Sequence, residues 1–238
     1  MTRLAAILPA AGLGTRMAAG KPKQFLELDG VPLIIFTLRR LAACSAISEF
    51  IISTRADDLP WLQDTVARAE LGRAARVVHG GDTRQQSVAN ALAHLDSAVE
   101  FVLVHDAVRP FVTLPQLDRV IAEAKSRGAA ILGIPAIDTV KEVKRASLPE
   151  DVALITSTIP RERVVLAQTP QVFAAPLLRE AFRKSQLDGV VASDEAGLVE
   201  RLGRDVFVVL GSERNLKITR PADMDLARFY LQQERHPS

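Results

Sequence analysis

The 238-residue chain has one cysteine, no run of like charges and no long unbroken apolar stretch. Each shortage closes a class of explanation. A lone Cys44 cannot form an internal disulfide, and its place in an apolar helical pattern marks a buried thiol in a reducing, cytoplasmic setting rather than a nucleophile. The longest mainly aliphatic run, Ala129 to Ile137, is broken by Gly133 and Pro135 and is too short to span a bilayer, so no membrane partner is expected. A net charge of only +2, with no basic stripe, argues against nucleic acid while leaving room for a local pocket that holds a small anion. The four histidines, His79, His94, His105 and His236, lack the spacing of a metal cage, and no GxSxG elbow occurs. The opening "MTRLAAILPAAGLG" is interrupted by Pro9, Gly12 and Gly14, and so is expected to belong to the fold rather than to a leader.

What is present is a strong alternation of short β-rich runs with helical patterns. Leu4 to Leu8, Phe50 to Thr54, Arg76 to His79, Phe101 to His105, Ala130 to Ile134 and Val206 to Leu210 read as strands. Helices are expected from Pro32, over Leu59 to Ala69, Thr83 to Leu95, Leu114 to Arg127, Pro176 to Leu187 and Asp194 to Leu202, and from Pro221 to Gln233. Aliphatic strands separated by helices imply an α/β, Rossmann-like domain of three layers, with a mostly parallel sheet that binds ligands at its carboxyl edge.

After Pro135 the alternation gives way to "DTVKEVKRASLPEDVALITSTIPRERVVLAQTPQVF", with β-branched residues and no helical stripe. A single domain over residues 1–238 with an extended β-hairpin arm at about 137–173 is expected. Such an arm has open edges and apolar residues to cover, which a second copy would do. The end of the chain at Ser238 leaves no room for a fused second enzyme on this reading.

Behind the first strand stands "PAAGLGTRMAAGKPKQF". It fails as a dinucleotide fingerprint, because Met17 occupies the place of the third glycine. It also fails as a Walker loop: five residues separate Gly14 from Gly20, and Lys21 is followed by Pro22. What remains is a loop of Ala10, Ala11, Gly12 and Gly14 whose bare backbone can approach a ligand, with Arg16 and Lys23 converging behind it; Lys21 is read as a bystander. The chemistry suits a triphosphate. In "GGDTRQQSV", Asp82 is expected to cap a helix with Gln85 in the reciprocal position. In "VHDAVRP", Asp106 and Arg109 fall at the ligand edge, near phosphates and magnesium, while His105 is read as a packing residue. Asp194 and Glu195 in "SDEA" are read as helix N-cap and favourable dipole partners.

The ordered set "PAAGLGTRM"/"KPKQF", "GGDTRQQSV", "VHDAVRPF", "IDTVK", "AQTPQVF", "SDEA" and "NLKITRPADM" resembles the sugar nucleotidyltransferases and, among them, the 2-C-methyl-D-erythritol 4-phosphate cytidylyltransferase family. Val108 and Ser193 stand where alanine and threonine are usual, and neither change removes a charge from a proposed position. The resemblance implies cytidylyl transfer from CTP to that polyol phosphate, in the non-mevalonate route to isoprenoid precursors. It assigns Arg16 and Lys23 to the triphosphate, and Gly81, Asp82 and Ser87, with backbone groups of Ala10 and Ala11, to the cytosine base. It gives Arg161, supplied across a homodimer, and Lys217 the task of positioning the acceptor phosphate, with Arg109, Thr139 and Thr169 touching the same substrate. Mg2+ would be held mainly by the CTP phosphates. The residues leave open a cytidylyltransferase for another polyol phosphate, such as ribitol 5-phosphate; a nicotinamide-dependent oxidoreductase or a non-catalytic nucleotide-binding module fits less well.

Overall fold

The computed structural model describes residues 2–12, 22–144 and 151–235. Its centre is β1 (Leu4–Pro9), whose side chains alternate between two cores. Leu4, Ala6 and Leu8 face one core, and Ala5 and Ile7 face the other; all five are buried. That alternation is the pleat of a strand covered on both sides, and it is the physical reason the domain has three layers. A small two-stranded piece, β2 (Glu27–Leu28) with β3 (Val31–Pro32), leads into α1 (Leu33–Ala42), so Pro32 precedes the helix rather than starting it. β4 (Ile47–Thr54), α2 (Leu59–Arg68), β5 (Ala74–His79), α3 (Arg84–Ala93), β6 (Phe101–Val104), α4 (Leu114–Arg127) and β7 (Ala129–Pro135) continue the alternation.

α4 has the bounds its local signals dictate. Pro115 suits the first turn, Gln116 returns its side chain to the Thr113 N–H at 2.9 Å, and Gly128 ends the helix at φ +92°. Its stripe of Leu117, Val120, Ile121 and Ala124 joins Ile34 and Leu38 of α1 on one face of the sheet. On the other face Val88, Ala91 and Leu92 of α3 meet helices from the second half of the chain.

That second half differs from the expected arm. A hairpin does leave the main sheet, as β8 (Val140–Lys144) antiparallel to β9 (Leu154–Ile159). The residues at 165–173, expected to belong to it, instead form β10 (Val165–Ala174), which returns to the main sheet antiparallel to both β6 and β7. Val172 and Phe173 explain the return: each is fully buried, one in each core. The alternating pattern that suggested an arm is the signature of any antiparallel strand, inside or outside the sheet. α5 (Ala175–Leu187), α6 (Glu195–Glu200), β11 (Phe207–Leu210) and α7 (Pro221–Arg235) complete the chain. The sheet order is β11-β7-β10-β6-β1-β4-β5, parallel except at β10.

α7 makes a third, smaller core. Met224, Ala227 and Leu231 pack on Val108 and Phe111 from the loop after β6, together with Leu28, Leu33 and Ile218. The Ile218 N–H also bonds the Val108 carbonyl at 3.0 Å. This apolar seat brings a segment from the end of the chain against the carboxyl edge of β6.

Candidate active site

The segments after the carboxyl ends of β1, β5 and β6 open onto one cleft, lined by Pro9, Ala10, Ala11, Gly12, Lys23, Gln24, Gly81, Asp82, Thr83, Arg84, Ser87, Asp106, Ala107, Val108 and Lys217. Nine residues expected from sequence are therefore brought together: Ala10, Ala11, Gly12, Lys23, Gly81, Asp82, Ser87, Asp106 and Lys217. Gly14, Arg16 and Lys21 lie outside the described residues.

The loop after β1 is held from both sides. The Ala10 N–H bonds the Ser53 carbonyl at 2.7 Å, while the buried Gln24 amide donates to the carbonyls of Ala10 at 2.5 Å and Gly12 at 3.2 Å. At Gly12 an added Cβ would meet nothing within 4 Å, so its bareness is open space on the cleft. Gly81 is glycine for the opposite reason, since a Cβ there would fall 2.4 Å from the Cβ of Gln86. Its N–H bonds the Ser87 hydroxyl at 3.0 Å, and that hydroxyl also reaches the Gly81 and Thr83 carbonyls. Ser87 thus fixes the shape of the turn that fronts the cleft.

The helix cap behind that turn is one residue further on than expected. Thr83, not Asp82, is the N-cap of α3, and Gln86, not Gln85, reciprocates, with bonds of 3.0 and 3.2 Å. Asp82 is thereby left on the cleft wall, free of a capping duty. Gln85 turns the other way and ties α3 to Ser185, Val190 and Ala192.

Asp106 is the electrostatic centre. Its Oδ2 receives Lys217 Nζ at 2.9 Å and Arg109 Nε at 3.3 Å, and its Oδ1 receives Arg84 Nε at 3.4 Å. Burial alone would push this carboxyl up, but the three cations hold it well below the usual carboxylate range. Arg109 is itself buried, which lowers its pKa against the pull of Asp106, and its Nη1 donates to the Asn215 carbonyl at 2.6 Å. Thr169 Oγ1 accepts from the Asp106 N–H at 3.0 Å, and Asn215 Nδ2 donates to the Thr169 carbonyl at 2.8 Å. Arg109 and Thr169 therefore stand behind Asp106 and do not line the cleft. His105 is fully buried, and its Nε2–H meets the Arg109 carbonyl at 3.1 Å; burial lowers its pKa to about 4, which keeps it neutral.

Sequence reasoning missed Arg84 and its pairing with Glu195. Asp194 does cap α6 through the Gly197 N–H at 3.0 Å. Glu195 stands in the first turn of α6 as expected, but it is also buried, with its two oxygens on Arg84 Nη1 and Nη2 at 2.7 and 3.0 Å. Burial pushes the Glu195 carboxyl up, and the fork of the guanidinium opposes it; for Arg84 burial is outweighed by Glu195 and Asp106, which raise its pKa. Both residues sit inside quoted motifs, but they lie 111 positions apart and nothing local pairs them.

Arg161 and Thr139 lie apart from this cleft, exposed at the base of the hairpin, where Arg161 Nη1 donates to the Ile137 carbonyl at 2.7 Å. No group of three or more His, Cys, Asp or Glu side chains among the described residues could hold a metal by itself. Likewise, no described helix is long and apolar enough to cross a membrane.

Residues 4–233 match the family model described as IspD, 2-C-methyl-D-erythritol 4-phosphate cytidylyltransferase. Proteins of that name from Acidobacterium capsulatum and Solibacter usitatus are 52% and 47% identical to this chain; the alignments cover 97% and 98% of this chain and 98% and 97% of theirs. The crystal structure of 4-diphosphocytidyl-2C-methyl-D-erythritol synthase from Anaerococcus prevotii superposes with a TM-score of 0.83 at 31% identity, covering 97% of this chain and 99% of that one.

Proposed function

The chain belongs to the 2-C-methyl-D-erythritol 4-phosphate cytidylyltransferase family, and from that premise we infer that its cleft transfers a cytidylyl group from CTP to 2-C-methyl-D-erythritol 4-phosphate. A phosphate oxygen of the acceptor bonds to the α-phosphorus, the bond to the β-phosphate breaks, and pyrophosphate leaves. The product is 4-diphosphocytidyl-2-C-methyl-D-erythritol, an intermediate of the non-mevalonate route to isoprenoid precursors. The observation that carries the reading is the cleft itself, where close-approach backbone at Ala10–Gly12 and Gly81 faces the Asp106 cluster and its cations.

Two anions must meet in line, so the protein's work is to offset their repulsion and orient them. Lys23, with Arg16, is assigned to the triphosphate and to charge developing on the leaving group. Backbone groups of Ala10, Ala11, Gly12 and Gly14, with Gly81, Asp82 and the Ser87-braced turn, are assigned to CTP and its base, where a wrong base edge would leave polar groups unpaired. Lys217 is assigned to the acceptor phosphate. Arg109 and Thr169 serve that substrate from behind, by fixing Asp106.

Arg161 and Thr139 take part through a partner subunit. The hairpin supports this: among the described residues its strands pair only with each other, and Val143, Leu154, Ile155 and Leu166 are exposed on and beside it. A homodimer would cover them and bring the partner's hairpin base to the cleft.

The donor set fits a divalent ion carried by the triphosphate, since the cleft offers Asp106 and Asp82 but no closed cage. We assign Mg2+, which when bound would neutralise phosphate charge and polarise the α-phosphate. The low cysteine content and the nature of the substrates support a cytoplasmic setting. The test is pyrophosphate release from each nucleoside triphosphate against a panel of polyol phosphates, ribitol 5-phosphate included, with and without Mg2+. Release with CTP and 2-C-methyl-D-erythritol 4-phosphate is expected; its absence overturns the reading, and faster release with another polyol phosphate reassigns the acceptor.

A further inference from the structure

We propose that Arg84 is a further nucleotide-binding residue and that Glu195 is the positioning residue that aims it. The proposal rests on the CTP reading above and deepens it. Arg84 is the first residue of α3, directly after the Gly81–Asp82–Thr83 turn, and its side chain lines the cleft with 28% of its surface exposed. A guanidinium has five N–H donors. Three are spent within the protein: Nε on Asp106, one Nη1 hydrogen and one Nη2 hydrogen on Glu195. One donor remains on each terminal nitrogen, in a fixed plane, on the wall of an anion-sized cleft.

The exposure of Arg84 points the same way. Within ion-pair distance Arg84, Arg109 and Lys217 face Asp106 and Glu195, three cations against two carboxylates, with Asp194 next to Glu195 as a further carboxylate. A pair serving only to join α3 to α6 would not need the exposure of Arg84 on the cleft. Glu195, at 1% exposure, is held by a two-point contact that dictates both the position and the plane of the guanidinium. Phosphate oxygens of CTP are ligands for the two remaining donors.

A buried ion pair can often be replaced as a unit with little loss of stability, whereas removing one member is costly. This separates binding from scaffolding. The double variant Arg84→Met/Glu195→Gln is compared with the parent by thermal melting and by calorimetric titration with Mg-CTP. A folded protein is expected, with melting lowered by loss of the Arg84–Asp106 contact but less than in Arg84→Met alone, and with CTP affinity weakened about ten- to a hundredfold through loss of charge-assisted hydrogen bonds. Arg84→Lys, which keeps the charge but not the planar fork, should fold normally and bind CTP with an intermediate loss. A folded double variant with the parent's CTP affinity would overturn the proposal, and so would parent-like affinity in Arg84→Lys if the double variant does not fold. Failure of the unaltered protein to bind CTP overturns the nucleotide reading and this one together, whereas failure confined to the variants' response sinks only the role of Arg84.

Discussion

Asp106→Asn isolates the charge on which the cleft is organised. In the folded protein this carboxylate lies 2.9 Å from Lys217, 3.3 Å from Arg109 and 3.4 Å from Arg84. At an effective dielectric of about 20, each such contact is worth roughly 5 kcal/mol of Coulomb attraction before desolvation. Lys217 is 38% exposed and its share must be discounted for screening, so the burden falls on Arg84 and Arg109. The asparagine keeps the shape but leaves Glu195 alone against three cations. Removing one member of a buried set costs about 3–5 kcal/mol, which in a chain of this length lowers Tm by roughly 10 °C. Urea denaturation at pH 7 should give that loss with an unchanged slope. The acid limb supplies a second test. Because the Asp106 pKa is depressed on folding, its stabilisation is complete above the ordinary carboxylate value of about 3.9 and is lost as pH falls toward the folded value. The gap between parent and variant should therefore narrow below about pH 4. An Asp106→Asn protein within about 0.5 kcal/mol of the parent at pH 7, or a gap that stays constant on acidification, would refute the reasoning.

Three other outcomes are expected. Lys23→Ala and Arg16→Ala should each lower turnover by about two to three powers of ten with little change in melting temperature, and full activity in either would remove that residue from the reaction. His105→Gln keeps a donor for the Arg109 carbonyl and removes a group whose pKa falls from about 6.5 to about 4 on folding; the parent should lose about 3 kcal/mol between those pH values that the variant retains, as read by denaturation at stepped pH. Leu154→Asp/Ile155→Asp on the hairpin should turn a dimer into monomers in light scattering and abolish most activity without unfolding the domain; an active monomer would deny the hairpin any part in the site.

The strands and helices were legible because burial on two sides imposes aliphatic runs on β1, β4 and β6, and local caps and glycines bound helices such as α4. β10 was less legible. Alternation states that a strand has two faces but not which sheet receives it, and only the burial of Val172 and Phe173 in opposite cores decides that. The Thr83 cap was displaced by one residue from the expected Asp82 because both side chains can accept from a helix N-terminus. Spacing cannot separate them until the turn at Gly81 is built.

The candidate site divides in the same manner. Lys23, Asp106 and the small residues of Ala10–Gly12 could be named from their places behind strands, since chain order alone puts them on the carboxyl edge. The partnership of Arg84 with Glu195, the bracing of Ala10 by Gln24, and the bonds of Arg109 to Asn215 and of Thr169 to Asp106 join residues separated in sequence through hydrogen bonds. Local patterning determined which side chains this protein presents at its ligand edge. Tertiary packing, above all the seating of α7 on the loop after β6 that carries Lys217 to Asp106, decided which of those charges meet. Hydrogen bonds and ion pairs act over about 3 Å of space, whatever number of residues lies between the partners.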